Sequence, residues 1–290
     1  MKEIIKKSIG RILSTLDSLS PYIEKQVSNK LLKASASRNA RIDPLNPYTW
    51  EFSGFSQNGE DGIIDYLTKG IREPNKYFVE IGASNGLENN TSYLAIAKGY
   101  SGLMIEGNTE IHKICKEVMN RYSMGVDCID LFIDNDSIEG LKENMLYLNP
   151  DIFSLDIDGN DYYVAQTILS SGIRPKIFVV EYNSAFGPEK SITIMYDKSF
   201  RMTESHPSFL YYGVSINGWK SFFLDYDYQF ICVDSNGVNS FFIDKREYDK
   251  EFYQNIKGFQ FRENFCQKKK FKKNWEYQFG LIKDLPFKTI

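Results

Sequence analysis

Histidine is scarce in this chain, with only His112 and His206 present. The four cysteines, Cys115, Cys128, Cys232 and Cys266, stand far apart, with no C-x-x-C pair and no histidine cluster nearby. That spacing argues against a zinc site and against a disulfide framework, and it fits a reducing compartment. Long apolar runs are missing too: nothing approaches the ~18 residues of a membrane span. The lysine-bearing N-terminus has neither a long apolar core nor a small-residue cleavage site, so the expected location is the cytoplasm. Charge of one sign is equally lacking. A formal net charge of -3 gives no electrostatic case for nucleic acid as a partner.

What is present suits one sizeable core. At 290 residues and 42% hydrophobic, the chain is long enough for a domain with appendages. Most of the 21 Phe and 19 Tyr are expected in the interior, the remainder suiting a carbohydrate-facing cleft. The most informative stretch is Tyr77 to Asn108. Tyr77 to Ile81 is a short apolar run that reads as a buried parallel strand. It stops at Gly82-Ala83-Ser84-Asn85-Gly86, where small residues let backbone approach a ligand and turn into a helix. A second run, Gly102 to Ile105, closes on Glu106. Strand, glycine turn, helix and strand ending in an acid form half of a nucleotide-binding βαβ unit, the acid accepting hydrogen bonds from ribose hydroxyls. Gly82-x-x-x-Gly86 is neither the G-x-G-x-x-G of dinucleotide enzymes nor a phosphate loop followed by Lys-Ser or Lys-Thr. Glu80, just before the turn, suits a cationic ligand better than a pyrophosphate.

A second cluster follows. Ile152, Phe153 and Leu155 build a strand ending in Asp156-Ile157-Asp158-Gly159, and Lys176 to Val180 builds another ending in Glu181-Tyr182-Asn183. Asp156 and Asp158 share a side of an extended chain, and neighbouring carboxylates repel unless a cation or proton intervenes. Asp156, Asp158, Glu181 and Asn183 therefore form a candidate oxygen site for Mg²⁺ or another hard cation. The competing account is a helix cap by Asp158 or Asp161. From Phe186 to Pro207 a patternless stretch reads as a lid. Its His206 is the one histidine placed to serve as a general base, against a plain surface position.

The flanks read differently. Ile4, Ile5, Ile9, Ile12, Leu13, Leu16 and Leu19 recur at helical spacing, with Lys2, Lys6, Lys7 and Arg11 elsewhere on the wheel, and Ser20-Pro21 ends the pattern. Such a helix, within residues 1–20, packs on its own domain or across a homodimer, or meets a membrane surface or partner. Ala34 to Asn39 reads as a linker. Ser56 is a candidate cap for a helix whose Ile63, Ile64 and Leu67 face inward, while Gln57 and Glu60 are too polar to be needed for packing. Tyr228 to Val233 and Asn239 to Ile243 form a hairpin across Ser235-Asn236-Gly237. The basic tail, Lys268 to Lys273 followed by Trp275, suits a solvated patch, an anionic acceptor or lipid head groups. The implied organisation is a helical arm over 1–45, a main domain over 46–244 and an extension over 245–290.

Ser56-Gln57-x-Gly59-Glu60-Asp61-Gly62, Phe78-Val79-Glu80-Ile81-Gly82, Glu88-Asn89-Asn90-Thr91 and Gly99-Tyr100-Ser101-Gly102 together resemble the FkbM-like branch of the class I S-adenosylmethionine-dependent methyltransferases. The resemblance runs from about Phe55 to Ile243; Tyr196-Asp197, Phe200 and Tyr211 to Ser215 also match its pattern. It implies an α/β Rossmann-like three-layer sandwich whose mostly parallel seven-stranded sheet ends in an antiparallel hairpin. It implies S-adenosylmethionine held by Gln57, Glu60, Glu80, Gly82, Ala83, Ser84, Asn85, Gly86, Asn90, Glu106, Gly107, Asn108 and Asp156, with Asp130 or its neighbours against adenine. It further implies oxygen methylation of a sugar, nucleotide-sugar or glycan in bacterial capsule or other surface-polysaccharide synthesis. Asp156, Asp158, Glu181 and His206 are the catalytic candidates, the first three also the ligands of a divalent cation where one is used. Two rivals stand beside this reading: a metal-dependent glycosyltransferase using Asp156-x-Asp158, and a non-catalytic binding module.

Overall fold

The computed structural model describes the backbone of residues 2–37 and 41–290, with side chains from residue 20 onward. Nine strands are present among them: β1 (Tyr77–Ile81), β2 (Ser101–Glu106), β3 (Val126–Asp130), β4 (Ile152–Leu155), β5 (Ile177–Glu181), β6 (Ile192–Ile194), β7 (Tyr228–Val233), β8 (Asn239–Asp244) and β9 (Phe287–Thr289). The helices are α1 (Lys2–Ser37), α2 (Glu60–Thr68), α3 (Ser92–Lys98), α4 (Thr109–Tyr122), α5 (Ile138–Asn144), α6 (Asp161–Ser170), α7 (Met202–Ser205), α8 (Ile216–Asp225), α9 (Lys250–Tyr253), α10 (Phe265–Phe271) and α11 (Trp275–Gly280).

Seven strands form one sheet in the order β3-β2-β1-β4-β5-β8-β7. The first five are parallel, and β8 runs antiparallel to both β5 and β7. This is the Rossmann-like methyltransferase architecture that the sequence implies, terminal hairpin included. Alternation explains the layers: along β1, Phe78 enters one core cluster while Tyr77, Val79 and Ile81 enter the other. Both faces of the strand are thus covered, as a parallel sheet requires. The chain lays β2 and β3 to one side of β1 and then returns to place β4 on the other. At that reversal the loops leave in opposite directions and open a crevice at the carboxyl ends of the strands.

Three expectations change. α1 passes through Pro21 rather than ending there, because Ile23, Val27 and Ala34 beyond the proline are buried in the first core cluster. Burying an Ile or Val side chain is worth about 1.5–3 kcal/mol, comparable to the roughly 3 kcal/mol cost of an interior proline. Ala34 to Ser37, read as linker, is the last turn of that helix; the rest of the expected linker, and the apolar side chains from Ile4 to Leu19, lie outside the described residues. The patternless 186–207 stretch holds β6, which pairs antiparallel with β9 near the end of the chain, and the short α7. Among the described residues no helix is long and apolar enough to cross a membrane.

Candidate active site

The first wall of the crevice is the turn after β1. Gly82 takes φ +83, and a Cβ there would lie 1.8 Å from the Asp156 carbonyl oxygen, so only glycine fits. The Gly82 and Ala83 amides both donate to the Ile105 carbonyl at 3.0 Å, lashing the turn to β2. Glu106, at the end of β2, accepts from the Ser84 amide at 2.9 Å through one carboxylate oxygen and from the Asn108 amide at 2.8 Å through the other. Asn108 in turn caps α4, accepting from the amides of Glu110 and Ile111. Gly82, Ser84, Glu106, Gly107 and Asn108 face the cleft. Ala83 is buried beneath it. Asn85 turns its oxygen onto the Leu87 and Glu88 amides, and Gly86, at φ +69, backs onto Cys115. Asp130 is exposed and accepts from the Thr109 hydroxyl at 3.3 Å. The wall on that side is Leu131, Phe132 and Ile133 instead.

The inner wall is acidic and closed from water. Glu80 accepts from the Asn90 and Thr91 amides at 2.8 and 3.1 Å and from the Thr91 hydroxyl. Burial nevertheless pushes its carboxyl up to about 7. Asn90 donates through its side chain to the Ser154 hydroxyl at 3.0 Å. Glu60, at the start of α2, accepts from the Asn58 amide, the Asn58 side chain and the Asn239 side chain at 2.6, 2.9 and 2.8 Å. Beneath it Asp61 accepts from the amides of Gly54, Phe55 and Ser56, and burial raises it to about 7 as well. The N-cap of α2 is Gly59 rather than the expected Ser56; the Ser56 hydroxyl reaches forward from the preceding loop to accept from the Asp61 amide at 2.9 Å. Gln57 lies at the mouth, donating to Glu88 at 3.4 Å.

The third feature is a knot of acids. Asp156, Asp158 and Glu181 each place a carboxylate oxygen within 4.8 Å of the others. Burial first, and the neighbouring carboxylates second, hold Asp156 and Glu181 well above the usual range, and burial also raises Asp158. Asp158 sits at φ +53, where non-glycine residues are uncommon. Neither Asp158 nor Asp161 caps α6, whose N-cap is Asn160; Asp161 instead accepts from the Ile157 and Gly159 amides of the preceding loop at 3.0 and 2.8 Å. Glu181 accepts from the Tyr212 hydroxyl at 3.3 Å, and that hydroxyl accepts from the Gln267 side chain at 3.1 Å. The oxygen-only set suits a hard divalent cation in donor chemistry. Asn183 does not join it: its side chain donates to the Leu210 and Tyr212 carbonyls and accepts from the Ala185 amide. Nor does His206 reach the cleft wall; its ring nitrogen Nδ1 pairs with the Ser208 hydroxyl at 2.8 Å inside the lid.

These walls enclose an open cleft of about 660 Å³, within the span of small-molecule sites. From the stretch read in the sequence as a lid, Phe200, Arg201, Met202 and Thr203 line the cleft. Phe200 lies against Gly159, where a Cβ would come within 2.5 Å of the ring, and the Arg201 guanidinium stands 4.7 Å over the Phe132 ring. Arg201 is the one basic side chain on the cleft wall among the described residues, set against the acids Glu60, Glu80, Glu88, Glu106, Asp156 and Asp158. Sequence reasoning missed Asn58, Glu88, Phe132, Arg201 and Asn239 as wall residues. Asn239 had a signal: as the first residue of a hairpin strand, beside Glu181 in the sheet register, it belongs at the carboxyl rim.

No family model matches this chain, and no curated protein matches it. Among solved structures it resembles the Podospora anserina methyltransferase PaMTH1 bound to S-adenosylhomocysteine, at 16% identity over 80% of this chain and 96% of that one, with a TM-score of 0.43. It also resembles an O-methyltransferase from Bacillus cereus in complex with the same product, at 15% identity over 76% and 89%, TM-score 0.39. A third is TrmK of M. capricolum, again with S-adenosylhomocysteine, at 13% identity over 64% and 68%, TM-score 0.37. Likenesses this distant assign no activity to the present chain.

Proposed function

We propose that this chain is an S-adenosylmethionine-dependent methyltransferase acting on an oxygen of a sugar or sugar-borne group, in the synthesis of a bacterial surface glycan. The observation that carries the reading is the turn at Gly82, too tight for any side chain, lying beside strand-terminal Glu106 where the strand order reverses. Backbone held this close to a crevice receives a bulky ligand, and the Glu106 oxygens can also accept from ribose hydroxyls. The acidic inner wall of Glu60, Glu80 and Asp156 favours a ligand carrying positive charge, which the sulfonium and ammonium of the donor supply.

Transfer is an in-line displacement: the acceptor oxygen attacks the methyl carbon, the carbon–sulfur bond breaks, and its electron pair leaves on sulfur as a neutral thioether. The protein's part is alignment and exclusion of water by the lid. The acceptor proton goes to Asp158, the exposed member of the knot, whose carboxyl burial raises above the usual range. Asp156, Asp158 and Glu181 would hold a divalent cation where one is used, and such an ion lowers the pKa of a bound hydroxyl. The exposed Phe132 ring on the cleft wall supports a sugar acceptor.

Calorimetric titration with S-adenosylmethionine, S-adenosylhomocysteine and a panel of nucleotide-sugars, each with and without Mg²⁺, tests the reading. Binding of both sulfur nucleosides without metal is expected. Binding only of a nucleotide-sugar, and only with metal, would overturn it in favour of glycosyl transfer through Asp156 and Asp158.

A further inference from the structure

The four cysteines look unrelated in sequence, but the fold brings two of them together. Cys115 on α4 and Cys128 on β3 place their sulfurs 3.7 Å apart in a thiol–thiol hydrogen bond. Both thiols are free. A disulfide bond is about 2.05 Å long, so the sulfurs need to close by roughly 1.7 Å, a movement within reach of rotation about the two Cα–Cβ bonds and a small shift of the helix. The two members differ in exposure. Cys115 is buried, while Cys128 is half-buried at the margin of the first core cluster. The hydrogen bond from Cys115, and Lys116 nearby, favour the thiolate on Cys128, the form that attacks an oxidant.

Cys115 also supports the turn after β1. Its sulfur lies 3.7 Å from the Met104 sulfur and 3.2 Å from where a Cβ on Gly86 would stand. Drawing that sulfur toward β3 takes it away from the backbone of the turn.

We propose that Cys115 and Cys128 form a redox modification site that a peroxide closes to a disulfide, loosening the Gly82–Gly86 turn. The Cys128 thiolate attacks one peroxide oxygen; the O–O bond breaks and, with a proton, water leaves, giving a sulfenic acid. The Cys115 sulfur then attacks the Cys128 sulfur, the S–O bond breaks, and the departing hydroxide takes the Cys115 proton as a second water. Two thiols are oxidised to one disulfide, and one hydrogen peroxide is reduced to two waters. A dithiol reductant reverses the step.

The test treats the full chain with hydrogen peroxide, then with dithiothreitol. Lys116 and Arg121 separate the two cysteines, so trypsin leaves them on different peptides unless they are bonded. A Cys115–Cys128 linked peptide that dithiothreitol removes is expected, with faster amide hydrogen exchange over residues 82–86 in the oxidised form. Cys128→Ser should abolish both responses. Oxidation confined to Cys266, over-oxidation of Cys128 without a link, or a link that leaves exchange at the turn unchanged would overturn the proposal. A second arm rests on the methyltransferase reading: affinity for S-adenosylhomocysteine is expected to fall about tenfold on oxidation. If the reduced chain binds no S-adenosylhomocysteine while link and exchange change both appear, the donor assignment fails and the redox site stands.

Discussion

Strands β4 and β5 carry buried charge at both ends, and the two ends are treated in opposite ways. At the amino edge Asp151 accepts from the Asn75 and Lys76 amides at 3.0 and 2.9 Å and from Lys176 at 2.8 Å. Lys176 also donates to the Glu73 carbonyl, and both side chains of the pair are almost wholly enclosed. At the carboxyl edge, five residues further along each strand, stand Asp156 and Glu181 with Asp158 beside them and no ion pair to a basic side chain among the described residues. The first end is closed electrostatically by the protein alone and fastens the sheet. The second is left open, and its mutual repulsion is relieved only by a proton, a cation or a cationic ligand. The same short strands thus carry a closed ion pair at one end and an open group of acids at the other.

Breaking the closed end should be the costliest change. Lys176→Leu leaves Asp151 buried without its cation and is expected to destabilise the fold by about 3–5 kcal/mol in denaturant unfolding. A loss under 1 kcal/mol would mean the two ends are not so different. At the open side, Glu80 is pushed up to about 7 by burial, so the folded chain holds its proton more tightly than the unfolded one. Its contribution is full below the ordinary glutamate range and is lost as pH rises through about 7. Stability is expected to fall by up to about 3 kcal/mol across that window on account of this group, and Glu80→Gln to flatten that part of the profile. A profile rising over the same window in both proteins would contradict the assignment.

Smaller effects sharpen the contrast. Glu106→Ala removes the acceptor of the Ser84 and Asn108 amides and is expected to weaken donor binding by about 1.5–3 kcal/mol, read by calorimetry with S-adenosylhomocysteine. Unchanged affinity would take Glu106 out of the ribose contact. Asp158→Asn tolerates the positive φ and removes one repelling charge. It is expected to raise stability by about 1 kcal/mol while lowering methyl transfer; a destabilised variant would show that Asp158 is held by bonds rather than by function.

How much of this was legible follows the distance over which each feature is encoded. Strand, glycine turn and Glu106 lie within one continuous stretch, so period and spacing display them together. The acid knot was within reach because Asp156, Asp158 and Glu181 end consecutive strands that pair directly. The bond from Asn239 to Glu60 joins residues 179 positions apart, and no local pattern encodes it. The passage of α1 through Pro21 was hidden for a related reason. Local chemistry favours a stop at proline, and the burial of Ile23, Val27 and Ala34 against the core outweighs it. Asn183 misled because side alternation placed it with the acids, although its amide is consumed by the carbonyls of 210 and 212.

The pairing of β6 with β9 has a consequence for how the protein comes into being. Ile192–Ile194 cannot find its partner until Phe287–Thr289 has left the ribosome, 95 residues later. At about 5–20 residues per second that is a delay of roughly 5–20 s. During that interval the turn, Glu106 and the acid knot have already been synthesised, and Ile192–Ile194 can bond only on its other edge, to Gly213 and Ser215 around the Thr193–Val214 bridge. The nascent chain therefore passes through a stage in which β6 is bonded along one edge alone, and β9 completes the pairing on the other.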